Sequence, residues 1–192
     1  MESRSRSLRT YEARLDLPLE EVFAWTSDVE RLDELTPPWF VLEPVAPPPP
    51  RLFVGVEIEY RFRWRRFGMR WRSRITDWRP PHDFVYEQAC GPFREFRHEH
   101  LFRPVDGGTL MEDRVIYRTW GGRWVDRWLV GPDLDRVFAH RARALGVAAG
   151  VARGPEVLEA DEESAWGAGE RAGIEEVRGA AQVEAPPAKR MP

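Results

Sequence analysis

The chain has 192 residues, of which 42% are hydrophobic and 12% aromatic, with a formal net charge of −3. This composition supplies enough apolar side chains for a core, so it excludes a chain that is disordered throughout. The charge balance is not that of a general nucleic-acid binder, and the single cysteine, Cys90, excludes an intrachain disulfide and a cysteine metal site.

The N-terminal half of the predicted domain begins with a strand and continues with helices. In the segment YEARLDL, apolar and charged residues alternate, which predicts a β-strand with one buried side. The next segment, PLEEVFAWTSDVERLDELTPP, predicts two short helices that end at Pro37 and Pro38. The apolar stripe of the first helix consists of Leu19, Val22 and Phe23.

From residue 56 onward the apolar residues recur with a period of two, which predicts a run of antiparallel strands. The predicted strands cover residues 56–64, 69–78, 83–88, 93–102 and 109–117. The segment PVDGG at residues 104–108 predicts a hairpin between the last two strands. After Tyr117 the spacing becomes helical, with a final helix that carries Leu134, Val137, Phe138, Arg141 and Leu145.

The domain organisation follows from a change in composition near Gly146. Aromatic residues recur every few positions before this point, whereas Trp166 is the only one after it. We therefore expect a flexible N-terminus at residues 1–7, one domain at 8–149 and a disordered acidic tail at 150–192. We find neither a signal peptide nor a run of roughly 18 apolar residues that could cross a membrane, so we expect a cytoplasmic protein.

This element order predicts an α+β fold in which a curved antiparallel sheet wraps around the long C-terminal helix, with two short helices after the first strand. A sheet that is wrapped around one helix favours an internal cavity. The domain resembles the SRPBCC superfamily, which has the START-like or Bet v 1-like helix-grip fold, and in particular its bacterial polyketide cyclase/dehydrase-type branch. The resemblance rests on PLEEVF, on the central segment around GPFREFRH and on GGT followed by DRVIY, and it covers about residues 8–146. It implies a hydrophobic cavity closed by the terminal helix, without naming the ligand.

Two histidines on one side of the strand FREFRHEHLF are the main candidates for chemistry. The expected hairpin register places His98 opposite Asp113, and His100 opposite Met111. Three interpretations remain open: a hydrogen-bonded polar patch, a metal site with Asp113 or Glu112 as third ligand, and acid–base catalysis by His98 with Asp113. The polar patch is favoured, and we expect no metal and no cofactor. Arg94 could stabilise an oxyanion only if its side chain points inward.

The candidate ligand-binding residues combine an aromatic lining with this polar end, as expected for a pocket that takes an apolar molecule. They are Tyr60, Phe62, Trp64, Trp71, Tyr86, Gln88, Phe96, His98, His100, Asp113, Tyr117, Trp128 and Phe138.

A band of arginines is expected on the opposite face of the sheet, with Arg61, Arg63 and Arg65 facing Arg70, Arg72 and Arg74. The simplest interpretation is a solvated face that is partly neutralised by Glu57 and Glu59. Two alternatives are docking of the acidic segment at residues 156–164 and contact with anionic lipid headgroups.

The sequence therefore favours non-catalytic binding of a small hydrophobic ligand, such as a lipid, an isoprenoid quinone or a polyketide-like molecule. One alternative is a polyketide cyclase or dehydratase that uses His98 and Asp113 as an acid–base pair. Another is a ubiquinone or lipid chaperone that makes transient contact with anionic membranes through the arginine band. We expect no nucleic-acid partner and no obligate protein partner.

Overall fold

The structure is a computed structural model in which residues 6–64 and 66–145 are described. Its strands are β1 (Ser7–Leu15), β2 (Phe40–Pro44), β3 (Glu57–Trp64), β4 (Phe67–Arg79), β5 (Asp83–Cys90), β6 (Glu95–Val105) and β7 (Gly108–Arg118). They form one antiparallel sheet with the order β1-β7-β6-β5-β4-β3-β2. β1 pairs with β7, and the first of the two short helices that follow β1 packs against β6 and β7.

The helices follow β1 and β7. They are α1 (Leu19–Thr26), a 3₁₀ turn (Val29–Arg31), α2 (Leu32–Leu35), α3 (Gly122–Val125), a π-helical turn (Asp126–Val130) and α4 (Gly131–Ala144). The last three elements run consecutively from residue 122 to 144 and form the long C-terminal helix. The predicted α+β helix-grip fold is thus confirmed.

One strand, β2, was not predicted. Its side chains are half-buried apart from Glu43, so they lack the strict alternation that identified the other strands. It pairs with β3 at the edge of the sheet and ends at Pro44. A proline has no N–H to donate, which suits the end of an edge strand.

The sheet is curved, and strand β4 has two irregularities that contribute to this. The pairing of β4 with β5 shifts between Arg72 and Ser73 and again between Ile75 and Asp77. Bulges of this kind bend a strand and increase its twist. The concave side of the sheet can therefore surround a helix.

The register of the β6–β7 hairpin differs from the prediction by two residues. Val105 pairs with Gly108, so the loop contains only Asp106 and Gly107, and Gly107 has a positive φ of 77°. This tight turn places His98 opposite Val115, and His100 opposite Asp113. The predicted partners of both histidines were wrong because the turn is centred one residue later in the chain than the expected register required.

The predicted arginine band is also corrected. Only Arg61 lies opposite an arginine, Arg70, whereas Arg72 pairs in register with Glu59, and Arg74 with Glu57. Arg74 forms an ion pair with Glu57 at 2.5 Å, and Arg70 one with Glu59 at 3.0 Å. Alternating charges across this ladder replace the expected repulsion. Arg63 lies opposite Gly68, and Arg65 is outside the described residues.

The buried apolar residues form two clusters along the concave face. The first lies towards α4 and contains Val56, Ile58, Tyr60, Phe62, Trp71, Ile75, Phe96, Val115, Tyr117 and Phe138. The second lies under α1 and contains Ala13, Leu15, Val22, Phe23, Phe84, Phe102 and Met111. The predicted tail at 150–192, with its proposed docking segment, lies outside the described residues, as do residues 1–5 and 146–149.

Candidate functional site

A cavity of about 420 Å³ lies between the concave face of the sheet and the C-terminal helix. Strands β3 and β4 supply much of its wall because alternate residues of each strand point inward. The walls are mainly apolar, and the cavity is partly open to solvent. Ten of the predicted site residues line it: Tyr60, Phe62, Trp64, Trp71, Tyr86, Phe96, His98, His100, Asp113 and Phe138.

The other three predicted site residues are not among its lining. The Gln88 amide donates to and accepts from the backbone of Phe93, at 2.9 and 3.2 Å, and so closes the turn between β5 and β6. Tyr117 is fully buried and its hydroxyl donates to Asp126. Trp128 is 64% exposed on the outer side of the C-terminal helix. Their spacing in the sequence matched that of the lining residues. Hydrogen bonds engage Gln88 and Tyr117 away from the cavity, and the π-helical turn directs Trp128 to the surface.

The polar end of the cavity is a cluster of His98, His100 and Asp113, all buried. His98 Nε2 lies 3.0 Å from Asp113 Oδ1, and His100 Nδ1 lies 2.6 Å from the same oxygen. On the other side of the ring, the Tyr86 hydroxyl lies 2.7 Å from His98 Nδ1. Asp113 meets both histidines because it is directly opposite one of them and diagonal to the other.

Burial and mutual proximity set the ionisation of this cluster. Burial, together with the adjacent His100, lowers the pKa of His98 to about 3, so this imidazole is neutral at pH 7. Burial alone would raise the pKa of Asp113, but the proximity of His100 and the hydrogen bond from His98 hold it well below its usual range. Burial also raises the pKa of Tyr86 to about 12. The cluster thus contains a buried carboxylate beside a neutral imidazole and a neutral phenol.

These contacts make His98 a weak candidate for a general base. Both of its ring nitrogens already have a partner, and a pKa of about 3 gives it little proton affinity at neutral pH. Arg94, the candidate oxyanion partner, is exposed, and its guanidinium lies 5.2 Å from the centre of the Trp120 ring.

Arg141 also lines the cavity, although no role was predicted for it. It lies on the inner face of α4 with its guanidinium 5.2 Å from the centre of the Phe138 ring. Its Nε is buried without a hydrogen-bond partner among the described residues. Arg141 follows Phe138 by three residues, so helical spacing places both on the same face of α4. Because its side chain is charged, the sequence alone did not indicate that it points into the cavity.

The C-terminal helix is held over the cavity by a second polar network. Arg9 Nη1 donates to Asp135 Oδ1 at 2.8 Å, and the Tyr11 hydroxyl donates to the same oxygen at 2.8 Å. Arg9 Nε also donates to the Tyr117 hydroxyl at 2.9 Å. The Tyr11 ring stacks on Phe138 at 4.1 Å between ring centres. These contacts tie α4 to β1, at the edge of the sheet.

The comparisons with known proteins agree with this architecture. Residues 15–145 match the family described as polyketide cyclase/dehydrase and lipid transport. The chain belongs to this family and therefore to the SRPBCC superfamily of ligand-binding proteins. No curated protein matches the sequence.

Solved structures with the same fold have low sequence identity. A protein from Arthrobacter aurescens is 13% identical with a TM-score of 0.57, over 71% of this chain and 84% of that one. Ara h 8.0201 is 16% identical with a TM-score of 0.53, over 73% of this chain and 97% of its own length. These similarities support the fold alone. Separately, none of the helices described here is long and apolar enough to span a bilayer.

Proposed function

We propose that the protein binds a small, mainly apolar molecule with one polar or anionic group, and that it does so without converting it chemically. The proposal rests on the 420 Å³ cavity, whose wall is mainly apolar and whose polar groups are few. Burial of apolar surface contributes roughly 25 cal/mol per Å², so such a cavity supports binding of a lipid, quinone or polyketide-like molecule.

The polar groups of the cavity support an oriented ligand. Arg141 offers a buried N–H that has no hydrogen-bond partner in the described structure, and Tyr86 lies beside the His98–Asp113 pair. A carboxylate or enolate oxygen of the ligand would satisfy this arginine. The apolar part of the ligand would then extend towards Phe62 and Trp71.

The decisive experiment combines native mass spectrometry of freshly purified protein with extraction and identification of any bound molecule. Anilinonaphthalene sulfonate, which joins aromatic rings to an anion, serves as a fluorescent probe of the same cavity. The variant Leu134→Trp fills the cavity and should reduce probe affinity at least tenfold. The matched variant Leu129→Trp, on the exposed side of the same helix, should bind like the wild type. Equal binding by the wild type and both variants would contradict the proposal.

A second candidate is cyclisation or dehydration of a polyketide-like substrate, which the family description favours. In this case His98 would act as the base and Asp113 would orient it. The two hydrogen-bond partners of His98 weaken this candidate. The variant His98→Gln discriminates the two functions: an enzyme would lose turnover of a polyketone while still binding it, whereas a carrier has no turnover to lose.

A third candidate is a lipid or quinone carrier that visits membranes, and a row of exposed tryptophans favours it. Trp120, Trp124 and Trp128 are 70%, 75% and 64% exposed, and Trp120 also lines the cavity. Arg127 lies over the Trp128 ring at 5.6 Å. Tryptophan and arginine side by side suit the headgroup region of a bilayer, whereas glutamates neutralise part of the arginine band.

Vesicle binding tests this third candidate. We expect the protein to sediment with phosphatidylglycerol vesicles in a salt-sensitive manner and only weakly with phosphatidylcholine vesicles. The double variant Trp124→Ser with Trp128→Ser should abolish sedimentation, whereas Arg70→Ser with Arg74→Ser on the sheet face should not. The reverse result would restore the arginine band as the contact surface.

A further inference from the structure

Three groups that commonly bind metals converge at the polar end of the cavity. His98 and His100 are two residues apart on β6 and therefore point to the same face, and Asp113 lies opposite His100 on β7. One ligand atom from each residue lies within 4.8 Å of the others. All three side chains line the cavity, so an ion bound between them would keep positions open towards a ligand.

The contact between His100 and Asp113 is close but is not a hydrogen bond. The 2.6 Å separation of Nδ1 and Oδ1 is short, yet its direction does not meet hydrogen-bond geometry, and Nδ1 has no other partner among the described residues. His100 is only 4% exposed, and a buried polar atom without a hydrogen-bond partner lowers the stability of the fold. A cation placed between the nitrogen and the carboxylate would give both atoms a partner.

The surroundings also prepare the groups for coordination. Neutral imidazoles and ionised carboxylates are the forms that bind metals, and the cluster supplies two imidazoles and one carboxyl group. Without an ion, His98 Nε2 donates to Asp113; when an ion binds, the proton moves to Nδ1, where the Tyr86 hydroxyl accepts it, and Nε2 is free to coordinate. This outer hydrogen bond is the usual way in which a coordinating histidine is oriented.

We propose that His98 Nε2, His100 Nδ1 and the Asp113 carboxylate bind one divalent first-row transition-metal ion at the polar end of the cavity. Two imidazoles and one carboxylate with open positions suit Zn²⁺, Fe²⁺ or Co²⁺. The ion would offset the charge of the buried carboxylate and accept an oxygen atom of a cavity ligand. The sequence disfavoured a metal because a His-x-His pair with no further histidine nearby is weak evidence, and the expected register placed Asp113 opposite His98 alone rather than beside both histidines.

This proposal stands independently of the ligand, because the metal alone is the probe. Untagged protein with Cys90→Ser, which removes the exposed thiol, is dialysed against a chelator and titrated with Co²⁺. We expect one Co²⁺ per chain, with visible absorption in the range of four- or five-coordinate cobalt. Zn²⁺ should displace it and should raise the melting temperature of the protein.

Variants identify the ligands. His100→Gln and Asp113→Asn should each abolish the cobalt spectrum and the zinc-dependent rise in melting temperature, whereas His82→Gln, an exposed histidine, should leave both unchanged. Tyr86→Phe keeps the side-chain volume and serves if the other variants unfold; losing the outer hydrogen bond should weaken Co²⁺ binding about 10- to 100-fold. Absence of Co²⁺ and Zn²⁺ binding by the folded wild type, or binding that Tyr86→Phe, His100→Gln and Asp113→Asn leave intact, would overturn the proposal.

Discussion

The two ends of the concave face are covered differently although the strands supply aromatic residues to both. Under α1, Phe23 meets Trp78, Phe84 and Phe102 edge to face, with ring centres between 5.2 and 5.8 Å apart. Under α4, Phe62 and Trp71 form part of the wall of a 420 Å³ cavity. Strand β6 runs through both regions. The two regions therefore differ in the helix that covers them, α1 where the interior is filled and α4 where it is open.

The largest test of this contrast is a pair of phenylalanine truncations. Phe23→Ala should lower the free energy of unfolding by about 4 kcal/mol, because it leaves a void in a filled region. Phe62→Ala should cost about 2 kcal/mol, because one side of this ring already faces the cavity. Urea unfolding monitored by circular dichroism measures both. Equal losses would mean that the two regions are packed alike.

A smaller effect is expected at the contact that holds α4 over the open end. Asp135→Asn removes the charge partner of the buried Arg9 and should cost about 1–2 kcal/mol, since Asp135 itself is partly exposed. Hydrogen exchange should accelerate in α4 and remain unchanged in α1. Glu57→Gln, which removes an exposed ion pair with Arg74, serves as the control and should cost less than about 0.5 kcal/mol. Uniform acceleration of exchange would contradict a local role for this contact.

Arg141→Met sharpens the comparison from the ligand side. The substitution removes a buried Nε–H without a hydrogen-bond partner but also the contact of the guanidinium with the Tyr86 hydroxyl, so the free energy of unfolding should change by less than about 1 kcal/mol. Affinity for anilinonaphthalene sulfonate should nevertheless fall about tenfold, because the sulfonate loses its cation. Arg143→Met, on the exposed side of α4, should change neither quantity. A stability loss above about 2 kcal/mol would show that Arg141 supports the fold rather than the ligand.

The smallest effect is expected at the exposed tryptophans. Trp124→Ser should change the free energy of unfolding by less than about 0.5 kcal/mol, because this side chain is 75% exposed. Thermal unfolding checks the value. A substantial loss would indicate that Trp124 is covered in solution, for instance by another copy of the chain.

Much of the fold was predictable because it depends on periodicity and local signals. Alternation identified the inner faces of β3 and β4. β2 escaped detection because a short, half-buried edge strand carries little alternation. In the candidate site, the ten lining residues followed from the direction of their side chains, whereas Gln88, Tyr117 and Trp128 are engaged or exposed in ways that no pattern in the sequence reveals.

The sequence by itself determined which residues face inward, because side chains alternate along a strand whatever its partner, and it determined the family. The tertiary structure decided which inward residues meet. The hairpin loop consists of only Asp106 and Gly107, and it shifts the register by two residues from the expected one. A shift of two keeps each side chain on its face of the sheet but changes its partner on the neighbouring strand. Asp113 therefore contacts both His98 and His100. The cavity likewise depends on how α4 rests on the sheet through Arg9 and Asp135, contacts between residues far apart in the chain.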